Sequence, residues 1–176
     1  MAVEERGLAN LRTTADALPV LKEGYIEDLF EKTGVLTPVE LESRYDVYAE
    51  QYLLAIEVEA KLVSSMAKTI IYPAAVRYLA ELSSTISKLK EIGIELSKES
   101  AEKVAVLVKS MMDTASKLSA TLSKHDFAST EDHMQYASQT IRPLMDEVRK
   151  YADALEGEVA DDLWPLPTYQ EMLFVK

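Results

Sequence analysis

The sequence contains no cysteine among its 176 residues and only five glycines. Without cysteine the chain can form no disulfide, no thiolate nucleophile and no cysteine-ligated zinc site, and we expect a reducing, cytoplasmic environment. Tight turns between β-strands depend on glycine far more than helices do. The low glycine content therefore favours an all-α chain.

Long hydrophobic runs and an excess of basic residues are also missing. No stretch approaches the ~20 apolar residues that a transmembrane helix needs, and residues 1–6 lack the apolar segment of a signal peptide. Lysine and arginine number 19 against 30 aspartate and glutamate residues, which gives a formal net charge of −11 at pH 7. A charge of this sign repels phosphate backbones and anionic lipid headgroups. We therefore expect neither nucleic acid nor a membrane as partner.

The sequence patterns of common catalytic and metal sites are absent as well. The five scattered glycines form no phosphate-binding loop, no dinucleotide-binding fingerprint and no Gly-x-Ser-x-Gly elbow. His125 and His133 are separated by a predicted loop, so they do not make a metal-binding pair on one helical face, and no Glu-x-x-His motif is present. We expect this chain to contain no catalytic, cofactor-binding or metal-binding residue.

The strongest positive signal is helical periodicity. A long helix is predicted to begin at the N-cap Thr37, followed by Pro38 and by Glu40, which completes a capping box. Its apolar residues recur every three or four positions past Pro73 until Gly93. The proline predicts a kink or a tight break. Because an unbroken helix of this span would be ~80 Å long, part of it should project beyond the bundle, or the chain should fold back at the proline.

Three further helices are predicted around the long one. A short helix covers about residues 22–33 before Gly34, and a third covers about 98–123 after the N-cap Ser97. A fourth begins near residue 130 with Ser129 as its N-cap and should bend at Pro143. The connections are short, as in antiparallel helix pairs. An antiparallel helical bundle is expected.

The chain divides into three predicted segments. Residues 1–36 form an N-terminal arm with a short helix, residues 37–159 form the long-helix bundle, and residues 160–176 form a C-terminal tail. The tail contains the only tryptophan, Trp164, two prolines, a second capping box from Thr168 to Glu171 and a dense apolar set. A free disordered end does not normally have this composition, so the tail is expected to dock.

Several local sequences resemble a known family. They are Asn-Leu-Arg-Thr-Thr-Ala-Asp-Ala-Leu-Pro at 10–19, the runs 30–36 and 40–45 with Gln51 and Tyr52, Ile-Tyr-Pro-Ala-Ala-Val-Arg-Tyr at 71–78, and 161–174, which includes Trp-Pro-Leu-Pro-Thr-Tyr. Together they resemble the C-terminal region of type III glutamine synthetases. The resemblance spans nearly the whole chain and is weakest from about 93 to 130.

The resemblance implies that this chain is the final helical domain of a ring-shaped, oligomeric enzyme of nitrogen metabolism. The family joins ammonia to glutamate and uses ATP with Mg²⁺ or Mn²⁺, so these cofactors are implied for the whole enzyme and not for this chain. Its metal-binding carboxylates, its glutamate and ammonia site and its ATP-binding strands lie upstream. No catalytic residue carries over, and we expect the isolated chain to be inactive as a ligase.

A role in packing and assembly follows as a hypothesis. Its expected partners are the catalytic domain and neighbouring subunits of the same enzyme, in a homo-oligomer. The candidate docking residues are Arg12, Tyr45, Tyr72, Arg77, Trp164 and Tyr169. For each of them the alternative is a place in the chain's own core, and for Tyr72 and Trp164 the pattern favours neither. A second hypothesis is a free-standing acidic adaptor whose exposed stripe binds an amphipathic partner helix.

Overall fold

The computed structural model describes residues 5–124, 126–167 and 169–173, except for the side chains of Tyr169 and Gln170. Over these residues the chain forms helices and loops without a β-strand, which confirms the all-α prediction. The α-helices are α1 (Thr14–Ala17), α2 (Gly24–Lys32), α3 (Pro38–Met66), α4 (Tyr72–Glu91), α5 (Glu99–Thr121), α6 (Thr130–Tyr136), α7 (Arg142–Glu156) and α8 (Tyr169–Leu173). Short 3₁₀-helices cover Leu18–Lys22 and Asp161–Leu163.

The chain forms two compact units. Unit 1 comprises Met1–Val58 and His125–Arg142, and unit 2 comprises Glu59–Lys124 and Pro143–Lys176. Helix α3 contributes its first part to unit 1 and its last residues to unit 2. The division into arm, bundle and tail stays a prediction.

The start of helix α3 shows the predicted capping box. The Glu40 carboxylate accepts hydrogen bonds from the Thr37 backbone N–H at 2.8 Å and from the Thr37 hydroxyl at 2.7 Å, while the Glu40 N–H donates to the Thr37 Oγ1 at 3.4 Å. These bonds satisfy amides that have no partner inside the helix. The local sequence therefore fixes where the long helix begins.

The long helix does not end at Pro73. A π-helical turn, Ala67–Ile71, joins α3 to α4, and a second one, Ala137–Ile141, joins α6 to α7 just before Pro143. Both share the pattern Ala-x-x-x-Ile-x-Pro, with the alanine and the isoleucine buried. A proline inside a helix removes one amide donor and crowds the preceding turn, and π-turns are a known means of accommodating such irregularity. A tight break is therefore not found, and a kink stays a prediction.

The N-terminal arm contributes to the core of unit 1. Thr13 caps helix α1 by accepting a hydrogen bond from the Asp16 N–H at 3.1 Å, and this places Ala15 in a buried cluster with Tyr45, Ala49 and Met134. Helix α1 has only four residues, which is too short to show periodicity. For this reason the sequence predicted no helix there.

Helices α4 and α5 form an antiparallel hairpin in unit 2. Ser64, at the end of α3 before α4, hydrogen-bonds to Ser119 near the end of α5. Ser83 and Ile86, late in α4, line one groove with Ala101 at the start of α5. The buried residues of α5 recur every one to four positions along one face of the helix; they are Val104, Val108, Met111, Thr114, Ala115 and Leu118. On α3, the spacing of three and four residues groups Tyr48 with Tyr45 and Tyr52. Tyr48 is nevertheless 44% exposed, because it lies at the edge of the arc that contains the other two.

Candidate docking surfaces and polar clusters

The six candidate docking residues lie in both units. In unit 1, Arg12 is exposed and Tyr45 is buried. In unit 2, Tyr72 and Arg77 are exposed on α4 and Trp164 is half-buried. The side chain of Tyr169 lies outside the described residues. Tyr72 is 37% exposed, and the Arg77 Nε donates to the Pro73 carbonyl at 3.2 Å. Their proposed docking role stays a prediction.

Tyr45 belongs to a polar cluster that joins three elements of unit 1. Its hydroxyl donates to Glu131 Oε1 at 2.7 Å, and the Lys22 Nζ lies 2.9 Å from the same oxygen. The Lys22 Nζ also lies 4.6 Å from the centroid of the Tyr45 ring, within the range of a cation–π interaction. We call these three residues the Tyr45 cluster. It connects the 3₁₀-helix Leu18–Lys22, helix α3 and helix α6.

The charges of the Tyr45 cluster reinforce one another. The hydrogen bonds from Tyr45 and then from Lys22 lower the pKa of Glu131 to about 2. Burial, followed by the hydrogen bond to Glu131, raises the pKa of Tyr45, and Glu131 raises the pKa of Lys22. Each group is thereby held in its ordinary neutral-pH form. A general acid or base works best with a pKa near the operating pH, so the cluster fits a structural role.

A second polar cluster in unit 2 joins the end of α3 and the π-turn after it to α5. The Ser64 and Ser119 Oγ atoms are 2.7 Å apart, and the Lys68 Nζ donates to Ser119 Oγ at 2.6 Å. Serine with lysine occurs in some hydrolases. Here, however, both hydroxyls also lie within hydrogen-bonding distance of the Ala115 carbonyl, at 3.2 and 3.0 Å. This serine cluster therefore fastens two helices together and presents no activated nucleophile.

The part of the chain that the structure describes offers no group of three or more histidine, aspartate or glutamate side chains suited to a metal ion. Within the same residues, no helix is long and apolar enough to cross a bilayer.

The first part of the tail packs against a helix of unit 2, to which it also belongs. The 3₁₀-helix Asp161–Leu163 packs on helix α4, and Trp164 directly follows it. The indole Nε1 of Trp164 is buried, without a hydrogen-bond partner among the described residues. The predicted capping box includes Thr168, which lies outside the described residues, and docking of the rest of the tail stays a prediction.

Helix α3 carries an exposed apolar stripe opposite its buried face. Val47, Leu54 and Val58 are 47%, 62% and 55% exposed, and their spacings of seven and four residues place them on one side of a helix. Tyr45 and Ala49, on the other side, are 1% and 0% exposed. We call the three exposed residues the outer stripe; all three belong to unit 1. Sequence reasoning missed them because it assigned one buried face to this helix, although their spacing could have revealed a second.

The comparisons with known proteins agree with one another. A family model described as "Glutamine synthetase C-terminal domain" matches residues 2–90. The chain is 31% identical to a type-3 glutamine synthetase from Dictyostelium discoideum over 98% of its length, and 28% identical to a glutamine synthetase from Bacteroides fragilis (strain YCH46) over 97%. It is 32% identical to a glutamine synthetase from Butyrivibrio fibrisolvens, again over 97%. In each comparison it spans 25% of the relative's length.

Proposed function

Because this chain belongs to the glutamine synthetase C-terminal domain family, we propose that it is the helical assembly domain of a type III glutamine synthetase. In this proposal the ligase reaction, with its ATP and divalent metal, takes place in the catalytic portion of the enzyme. The helical domain packs against that portion and against neighbouring subunits of a homo-oligomer in the cytoplasm.

The outer stripe is the observation that carries the proposal. A helix that faces water on one side normally presents polar residues there, whereas a helix that is apolar on opposite sides is normally covered on both. Val47, Leu54 and Val58 are about half exposed or more, in a unit whose own core already buries the opposite side. Exposed apolar patches of this kind are typical of protein–protein contacts.

The occupant proposed for the outer stripe is the catalytic portion of a neighbouring subunit of the same enzyme. The chain aligns over 97–98% of its own length with relatives that are about four times as long. A domain that normally belongs to such a long polypeptide has a large neighbouring surface available to cover an apolar face. The adaptor hypothesis explains the stripe too, but it leaves this alignment with large enzymes unexplained.

A pair of glutamate substitutions in the full-length enzyme tests this proposal. Residue numbers are those of this chain. Val58→Glu places a charge on the outer stripe. Val106→Glu is the control, because Val106 also lies in a helix, α5, and is 64% exposed. We expect Val58→Glu to lower the mass of the assembly in light scattering by releasing subunits, because an unpaired charge is costly at a covered apolar contact. Val106→Glu should leave the mass unchanged.

Two further readouts make this result interpretable. Circular dichroism of the isolated chain should show the same helicity for both variants, since both valines are exposed in it. The isolated chain should form no glutamine from glutamate, ammonia and ATP. An assembly that keeps its full mass with Val58→Glu, or ligase activity in the isolated chain, would contradict the proposal.

A further inference from the structure

The loop that joins α4 to α5 presents three aliphatic side chains to solvent. Ile92, Ile94 and Leu96 are 70%, 51% and 48% exposed. Gly93 adopts φ +82° and lets the chain turn here. The Ile94 N–H donates back to the Leu89 carbonyl at 2.9 Å, so this loop is a hydrogen-bonded cap with a defined shape. A short, ordered loop with three exposed aliphatic residues is a suitable knob for insertion into another surface.

An apolar groove lies next to this loop in the same hairpin. The groove is a shallow, open depression of about 410 Å³ between α4 and α5, and its lining includes Leu79, Ser83, Ile86, Lys98 and Ala101. Ile86 is six residues before Ile92, or about 9 Å along the helix axis, and Lys98 follows Leu96 by two residues. The loop, which forms the knob, and six of the eight residues that line the groove lie within residues 86–105, which we call the hairpin end.

The charge of the hairpin end differs from that of the rest of the chain. Residues 86–105 contain four lysines, at 88, 90, 98 and 103, and four glutamates, at 91, 95, 99 and 102. This segment is neutral, so the net charge of −11 resides elsewhere. Two copies of this chain repel each other at long range over most of their surface. At the hairpin end, charges of both signs allow lysines of one copy to face glutamates of the other.

We propose that two copies of this chain associate through their hairpin ends, with the loop of each copy inserted in the groove of the other. Because each copy contributes both the knob and the groove, the contact is self-complementary and closes as a two-fold dimer. This inference rests on the proposed assembly function and deepens it by naming a second copy as the partner at this surface, whereas the outer stripe is assigned to the catalytic portion.

Light scattering of the isolated chain over a concentration series tests the association. With increasing protein concentration, we expect the mass to rise from the 19.7 kDa of one chain towards twice that value. Added salt should shift this rise to lower protein concentration, since salt screens the repulsion between the two acidic copies. Ile94→Glu should abolish the rise. A wild-type chain that stays monomeric at every concentration would overturn the proposal.

Val35→Glu is the matched control for Ile94→Glu. Val35 is 63% exposed and follows Gly34, which has φ +65°, and its N–H donates to the Phe30 carbonyl at 3.1 Å in the same type of helix cap. Val35→Glu should dimerise like the wild type. Equal loss of the dimer in both variants would show an effect of added charge alone and would refute a specific contact.

Cross-linking defines which surfaces meet. Because the chain has no cysteine, Ser87→Cys in the groove and Ile94→Cys in the loop each introduce a single thiol. Mixing the two variants under oxidising conditions should give disulfide-linked dimers that contain one copy of each. Val35→Cys mixed with Ser87→Cys should give few, and equal yields in the two mixtures would contradict the proposed arrangement.

The two proposals fail separately. Val58→Glu lies on the outer stripe and should leave dimerisation of the isolated chain intact, even if it releases subunits from the full-length enzyme. A monomeric isolated chain together with a Val58→Glu enzyme that falls apart would reject the hairpin-end dimer and keep the assembly function.

Discussion

The Tyr45 cluster predicts a stability contribution that depends on pH. Glu131→Gln keeps an oxygen acceptor for Tyr45 and Lys22 but removes the negative charge. The fall of the Glu131 pKa from 4.5 to about 2 corresponds to ~3 kcal/mol for a fully shielded carboxylate. Because the Glu131 side chain is 36% exposed, water screens part of this interaction, and we expect the substitution to reduce the free energy of unfolding at pH 7 by ~1.5 kcal/mol.

The sign of the pH dependence follows from the lowered pKa. A carboxylate whose pKa is lower in the folded state stabilises that state above its unfolded pKa and loses this effect as the pH falls towards the folded value. The difference between wild type and Glu131→Gln should therefore be complete at pH 7. It should shrink from about pH 5 downwards, fall below half at pH 3 and nearly vanish at pH 2.

Urea unfolding followed by circular dichroism at pH 7 and pH 3 measures these differences. Tyr45→Phe should cost ~1.5 kcal/mol at pH 7, typical of a lost hydrogen bond to a charged group. The double variant Tyr45→Phe/Glu131→Gln should lose about 1 kcal/mol less unfolding free energy than the two single variants lose together, because the two residues contact each other. Asp28→Asn is the control, since Asp28 pairs with Lys32 at 3.0 Å on the surface with its side chain 65% exposed and should cost almost nothing. A Glu131→Gln effect no larger than that of Asp28→Asn, or one that is equal at both pH values, would refute the reasoning.

Three further substitutions test local features, all measured by thermal or urea unfolding of the isolated chain. Gly34→Ala should destabilise by ~1 kcal/mol because Gly34 has φ +65°, whereas Gly24→Ala, without positive φ and with open space around its Cβ, should be neutral or stabilising; equal effects would contradict the backbone argument. Ser64→Ala should lower the free energy of unfolding by ~1 kcal/mol, because it removes hydrogen bonds of the serine cluster. Ser65→Ala, at the exposed neighbouring serine, should leave that free energy unchanged. Trp164→Ala should lower the unfolding free energy by ~2 kcal/mol, less than for a fully buried tryptophan, and an unchanged melting temperature would instead favour a docking role.

Local signals predicted the helices well because helix ends are set by residues close in sequence. The bonds of Thr37 with Glu40 and of Ser129 with Asp132 span three residues each, and both helix starts were predicted. The π-turns were missed, although their shared pattern before Pro73 and Pro143 is a local signal. The repeated Ala-x-x-x-Ile-x-Pro pattern becomes informative only when both copies are compared.

The polar clusters could not be predicted because they depend on tertiary contacts. Lys22 and Glu131 are 109 residues apart and Tyr45 and Glu131 are 86 apart, so periodicity contains no information about their contact. The position of Glu131 in the first turn of its helix suits an acidic residue but gives no indication of its contact with Tyr45. The family resemblance identified the chain correctly, but it could not show which apolar residues its own units leave uncovered.

Binding of this chain to the catalytic portion of the glutamine synthetase to which we propose it belongs tests the central claim most directly. The catalytic portion, produced without this domain, would be mixed with the isolated wild-type chain or with its Val58→Glu and Val106→Glu variants, and the mass of the complex would be measured by light scattering after gel filtration. We predict that the wild type and Val106→Glu bind and that Val58→Glu binds at least tenfold more weakly. A wild-type chain that is folded and does not bind, or a Val58→Glu variant that binds as tightly as the wild type, would contradict an assembly role through the outer stripe.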